Sequence, residues 1–212
     1  MNWETWEARF ESFLAQATGE HDVAHDLAHV RRVVANARRL AAAEGVDLMV
    51  VVPAAWLHDC VTVPKDSPLR PQASRLAAEA AGVFLREAGY PASAIPAIEH
   101  AIAAHSFTAN LAPQTLEAWV VQDADRLEAI GAIGVARCLM LGGALGRPLY
   151  HPTEPFPLKR TPDERAYSLD HFYQKLLKLA DEMKTVAGRA EAHQRTVFMQ
   201  QFLDQLKREL EF

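Results

Sequence analysis

The chain has 212 residues, half of them hydrophobic and 23% charged, with a formal net charge of −5, nine histidines and two cysteines. That length suits a domain that buries its own core, so neither a disulfide framework nor a structural zinc is required, and Cys60 and Cys138 cannot build an all-cysteine zinc site. The acidic balance excludes a dedicated binder of long nucleic acid, and no run approaches the roughly 18 apolar residues of a membrane span. The first residues are acidic and amphipathic, with no basic-then-apolar leader. The expectation is a cytoplasmic globular protein.

Taken in chain order, the hydrophobic period is helical. Val30, Val33, Val34, Ala37, Leu40 and Ala41 share one face of a 3.6-residue repeat, opposite Arg31, Arg38 and Arg39. Val50-Val51-Val52-Pro53 could open a buried strand, but Asp47 is a plausible N-cap and Ala54-Ala55-Trp56-Leu57 continues helically, so a helix is favoured. An alanine-rich helix spans Ala73 to Glu87 and stops at Gly89 before Pro91. Ser93 is positioned to cap the next, through Ile95, Ile98 and Ile102 to His105. A long apolar helix is expected from Leu116 to Leu141, dissolving at Gly142-Gly143. Residues 147 to 162 carry five prolines and read as an ordered irregular crossing. Two amphipathic helices should follow, from Asp163 to Val186 and from Ala190 to Leu210. The expected fold is all-α: a single-domain helical bundle with a core over 1–146, and a proline-rich crossing with a C-terminal helix pair over 147–212 packed back on it.

The strongest chemical signal is His58-Asp59 at the end of an apolar helix. Neighbours on a regular helix point about 100° apart, so both can face one ion only near a helix end. The dipeptide alone is weak evidence, since His21-Asp22 and His25-Asp26 occur in the same chain. Its neighbours add weight. His29 opens an amphipathic helix, and Asp123 and Asp125 stand inside an otherwise apolar one, where charge is costly unless paired or metal-bound. Two residues apart, those carboxylates face different ways. Either could be merely solvated or capping.

Set together, these segments resemble the HD-domain metal-dependent phosphohydrolases, whose signature is a histidine, a His-Asp pair and a distant aspartate on an all-α bundle. The resemblance extends to His25-Asp26-Leu27-Ala28-His29, Ala104-His105-Ser106-Phe107, Leu127 through Gly134, and Asp170 through Leu177, and looks like the small stand-alone bacterial members. It implies His29, His58, Asp59 and Asp125 as ligands. Asp125 is preferred to Asp123 because the family's last ligand sits in an Ala-Asp-(Arg/Lys)-Leu context, matched by Ala124-Asp125-Arg126-Leu127. Two imidazoles and two carboxylates suit one divalent ion, Mn, Ni, Co, Fe, Zn or Mg, able to activate water beside Asp59.

Related enzymes often carry a lysine soon after the His-Asp pair. Lys65 is therefore a candidate catalytic and phosphate-binding residue, with Arg70 and Arg75 as weaker versions and Arg126 as a further possible phosphate partner. His105, ending an apolar helix, is the candidate proton donor or extra phosphate contact. Asp26 either orients an imidazole or caps the helix of His29. Cys60 reads as a small buried residue and not a ligand. The implied activity is hydrolysis of a phosphate ester or anhydride of a small molecule, a nucleotide being the favoured class. The alternatives are a di-iron oxygenase on the same scaffold, which needs more ligands than are placed, and a non-catalytic nucleotide-sensing module.

Overall fold

In the computed structural model the described residues are 1–17, 27–64, 67–106 and 109–210, and among them there is helix but no strand. The all-α expectation holds. The chain divides into two compact units, Met1–Asp125 and Arg126–Phe212.

The first unit is built from α1 (Trp3–Ala17), α2 (Leu27–Glu44), α3 (Leu48–Leu57), α4 (Ala73–Glu87), α5 (Ile95–His105) and α6 (Leu116–Arg126), the last running to the unit's end. Its centre is α3, which packs on α1, α2, α4 and α5 and is buried from Val50 through Leu57. Asp47 caps it as expected, its Oδ1 accepting from the Met49 amide at 2.8 Å. Pro53 sits inside the helix without an N–H, so the Met49 carbonyl four residues earlier loses its usual donor. The Tyr90 hydroxyl donates to that carbonyl at 2.7 Å. A cap at one end and a borrowed donor in the middle let three valines and a proline remain helical.

An aromatic cluster fastens α1 to this centre. Trp6 meets Tyr90 edge-on at 4.8 Å between ring centroids, Phe13 stacks on Phe84 at 4.3 Å, and Phe10 touches Trp56 and Phe84. Such pairs contribute about 0.5–1.5 kcal/mol each beyond their buried area. Glu7 accepts from Arg38 of α2 at 2.7 Å. Ser93 does not cap α5: that helix starts at Ile95 with a proline in its first turn and no side-chain cap.

In the second unit the expected long helix is interrupted. Beyond α6 comes a 3-10 turn, Leu127–Ala129, then an extended Ile130, and α7 (Gly131–Ala144) starts afresh with Gly131 at φ +73°. Only glycine enters that region without strain. The break is held from outside: Arg195 donates to the Leu127 carbonyl at 2.7 Å from 68 residues further on, its stem 3.1 Å from where a Gly131 Cβ would stand.

The expected helix over 163–186 is also replaced. Short α8 (Asp170–Gln174) and a 3-10 segment, Leu176–Glu182, take its place. The cause is polar. Asp163 Oδ1 accepts from the amides of Arg165 and Ala166, while buried Asp170 accepts from both terminal nitrogens of Arg160 and from the Asp163 amide at 2.6 Å. A continuous helix would have to give these up. The proline-rich crossing is ordered and irregular as expected, with the amides of Ser168 and Leu169 donating to the carbonyls of Pro148 and Leu149. Finally, α9 (Val186–Leu210) begins one turn earlier than Ala190, because the Thr185 hydroxyl accepts from the Gly188 amide at 2.9 Å. It packs on α7 and on the 3-10 segment. No single described helix is long and apolar enough to cross a membrane.

Candidate metal centre

Five side chains of the first unit converge, each delivered by a helix end. His29 lies in the first turn of α2, His58 and Asp59 follow the last turn of α3, His105 ends α5, and Asp125 lies in the last turn of α6. The placement answers the geometric objection to His58-Asp59. At a helix terminus the two neighbours escape the 100° separation of a regular helix.

The imidazoles form the floor and the carboxylates the mouth. His29, His58 and His105 are buried, whereas Asp59 and Asp125 keep 28% and 30% of their side-chain surface exposed. Asp125 Oδ1 lies 3.5 Å from His29 Nε2 and 3.9 Å from His58 Nε2. Asp59 divides its oxygens, Oδ2 standing 3.6 Å from His58 Nε2 and Oδ1 3.4 Å from His105 Nε2. Two overlapping sets result, His29–His58–Asp125 and His58–Asp59–His105, each with donor atoms within 4.8 Å of one another.

His58 shows what this spacing suits. Its Nδ1–H donates to the Ala55 carbonyl at 2.9 Å, so the lone pair is on Nε2. That Nε2 is wholly buried, has no hydrogen-bond partner, and faces two carboxylate oxygens too distant to be one. Atoms about 2.0–2.2 Å from a common ion stand about 3–3.5 Å from each other, which is close to what is seen here. The donor set, two or three imidazole nitrogens with two carboxylates, suits a divalent first-row ion or Mg2+. The residues fit a metal.

Electrostatics agree. Burial pushes the His58 imidazolium below its ordinary value, despite the nearby Asp59, which keeps the ring neutral with its lone pair available. Burial acts the same way on His105, but its hydrogen bonding to and attraction by Asp59 prevail and carry it up to about 9. Cys60, next to Asp59, points away: its Sγ donates to the Ala77 carbonyl at 3.3 Å, and burial pushes the thiol up to about 12. It is a packed thiol and not a ligand, as the sequence suggested.

The remaining expected residues are placed as follows. Lys65 and Asp26 lie outside the described residues. Arg70 donates to the Val63 carbonyl at 2.8 Å, bracing the loop after the His-Asp pair, and Arg126 donates to the Glu182 carbonyl at 2.9 Å within the second unit. Arg75 lines an open groove of about 600 Å3 between α4 and α5, together with Glu79, Arg86, Glu99 and His100. Asp123 is fully buried on α6, while Asp125 takes the place beside His29 and His58. Outside the cluster, His100 accepts from the Gln114 amide, His171 pairs with Glu164 at 2.5 Å, and His193 is exposed.

Comparison with known proteins gives the family. A family model described as the HD domain matches residues 26–130, a stretch holding all five cluster residues. The chain is 36% identical over 190 residues to the uncharacterized protein YpgQ of Bacillus subtilis (strain 168), covering 88% of this chain and 84% of that one. The crystal structure of B. subtilis YpgQ in complex with ADP matches with a TM-score of 0.70 at 30% identity, over 98% of this chain and 94% of that one. An HD-superfamily hydrolase from Bacillus thuringiensis matches with a TM-score of 0.73 at 35% identity, over 96% and 97% of the two chains. The fold is that of the HD-superfamily hydrolases, and the chain belongs to the HD-domain family.

Proposed function

We propose that the protein is a metal-dependent phosphohydrolase that cleaves a phosphate ester or anhydride of a small molecule, a nucleotide being the favoured class. One observation carries the reading: four ligand-type side chains, His29, His58, Asp59 and Asp125, stand at ligand spacing around the bare, buried Nε2 of His58. Nucleotide is favoured because the related YpgQ has been crystallised in complex with ADP. The two unpaired cysteines fit a reducing compartment such as the cytoplasm.

In this proposal His29, His58, Asp59 and Asp125 hold one divalent ion. Both donor sets need the single lone pair of His58, and one lone pair serves one ion, so a single ion takes His29, His58, Asp125 and Asp59 while His105 stays outside its ligands. When bound, such an ion supplies Lewis acidity toward a phosphoryl oxygen and lowers the pKa of water toward neutrality. The chain's own groups do the rest. The half-exposed Asp59 and Asp125 present the open face to substrate. His105, with Nδ1–H committed to the Ile102 carbonyl at 2.7 Å, holds a proton on Nε2 that can pass to a leaving oxygen. Lys65 is proposed as the cation that meets the phosphate. Arg70 and Arg126 each commit one N–H to a carbonyl and retain others, so they stay candidates beside Arg75.

The test is release of phosphate or pyrophosphate from a panel of nucleoside mono-, di- and triphosphates by purified protein loaded with Mn2+ or Ni2+, with and without chelator. Hydrolysis that is metal-dependent and abolished in His58→Ala supports the reading. Full activity in chelator or in His58→Ala overturns it. Two irons per chain by elemental analysis would instead favour the oxygenase.

A further inference from the structure

The last turn of α5 carries the second observation. A helix leaves its final carbonyls without intrahelical donors, and these are usually met by water or by a glycine-based cap. Here three successive carbonyls are each taken by a side chain. Ile102 O accepts from His105 Nδ1 at 2.7 Å, Ala103 O from the Ser74 hydroxyl of α4 at 2.9 Å, and Ala104 O from Gln122 Nε2 of α6 at 2.9 Å. Ser74 and Gln122 are both buried. The turn that ends in His105 is therefore tied to two neighbouring helices and to its own imidazole.

Gln122 is an uneconomical choice if packing alone matters. Its side chain is 3% exposed and its Oε1 has no protein partner, a desolvation loss that a methionine of similar length would avoid. What the glutamine adds is direction. It joins the backbone just before His105 to the helix turn that carries Asp125, so the α5 and α6 contributions to the cluster are tied to each other.

We infer that Gln122, assisted by Ser74, is a positioning residue that holds His105 Nε2 against Asp59 Oδ1. Neither side chain touches substrate; both act through the α5 terminus. The inference rests on the proposed function insofar as His105 takes part in hydrolysis, but the placement itself can be read without any turnover.

Two measurements test it. The first is long-range 1H–15N NMR of the histidine rings in metal-free protein, comparing wild type with Gln122→Met and Ser74→Ala. Displaced or broadened His105 ring signals are expected, with His29 signals unmoved; unchanged His105 signals in both variants overturn the inference. The second is a double-mutant cycle on kcat for nucleotide hydrolysis with Mn2+. Gln122→Met should lower kcat about 10–100-fold in wild type, as loss of an orienting partner does, with little change in KM, and under about threefold in a His105→Ala background. Equal losses in both backgrounds overturn it. Gln122→Asn should behave as Gln122→Met, because its shorter amide cannot reach Ala104. Should Gln122→Met fail to fold, Ser74→Ala carries the same cycle. If wild type hydrolyses no nucleotide, the proposed function fails while the NMR result still decides the positioning role.

Discussion

Two aspartates, one in each unit, show how the same side chain is used for opposite ends. Asp170 is fully buried and saturated, gripped by both terminal nitrogens of Arg160 and the Asp163 amide at hydrogen-bond distance. Asp125 is half-exposed, and its imidazole neighbours stand back at 3.5 and 3.9 Å. The first arrangement is complete and stabilises the fold. The second is incomplete in hydrogen-bond terms, and its spacing suits atoms around an ion. Burial and distance together separate a saturated carboxylate from one spaced for an ion.

The contrast is most sharply tested by removing ligands. His58→Ala or Asp59→Ala should lower both hydrolysis and Mn2+ affinity by more than about a hundredfold, beyond the loss typical of an outer partner. Calorimetric titration with Mn2+ alongside the nucleotide assay would show whether the two fall together. Asp125→Asn should behave likewise with metal.

Asp170→Asn should do the reverse. Replacing the buried carboxylate weakens its pairing with Arg160, whose side chain is 17% exposed and keeps the Glu154 carbonyl, and should cost about 3 kcal/mol, readable by chemical denaturation, while Mn2+ affinity stays within about twofold. The same pair governs acid stability. Burial alone would raise the Asp170 carboxyl, but the Arg160 guanidinium and the Asp163 amide hold it below its ordinary value. A carboxylate whose folded pKa is depressed contributes stability that is full above its unfolded value, about 3.9, and is lost as pH falls through the folded value. Wild type should therefore lose stability on acidification below about pH 4, and Asp170→Asn should show a shallower loss there in melting curves from pH 2 to 6.

The smallest expected effect concerns α3. Tyr90→Phe removes the donor to the Met49 carbonyl and should cost about 1–3 kcal/mol by denaturation, but clearly less in a Pro53→Ala background, where the helix regains its own N–H. An undiminished cost there would show that the hydroxyl is not replacing the missing amide.

How much could be read beforehand divides along the range of the interactions involved. The helix of Val50-Val51-Val52-Pro53 was legible because its cap, Asp47, lies just before it. The break at Ile130-Gly131 was not, since the Leu127 carbonyl is held by Arg195 from 68 residues away. The region 163–186 has helical periodicity, yet Asp163 and Asp170 bond backbone and arginine in a manner no period reveals. At the centre, residue types and the family resemblance together named His29, His58, Asp59 and Asp125. The partners of Arg70 and Arg126 were invisible, because a carbonyl carries no residue identity. Gln122 and Ser74 left no signal for the same reason.

The burial of α3 on every side has a consequence for motion. A helix without a solvent-facing edge cannot fray in pieces, so its amides should exchange with deuterium only when the first unit unfolds as a whole. The terminus that presents His58 is thus as slow to open as the unit itself. A site floored on such a helix keeps its base ring still.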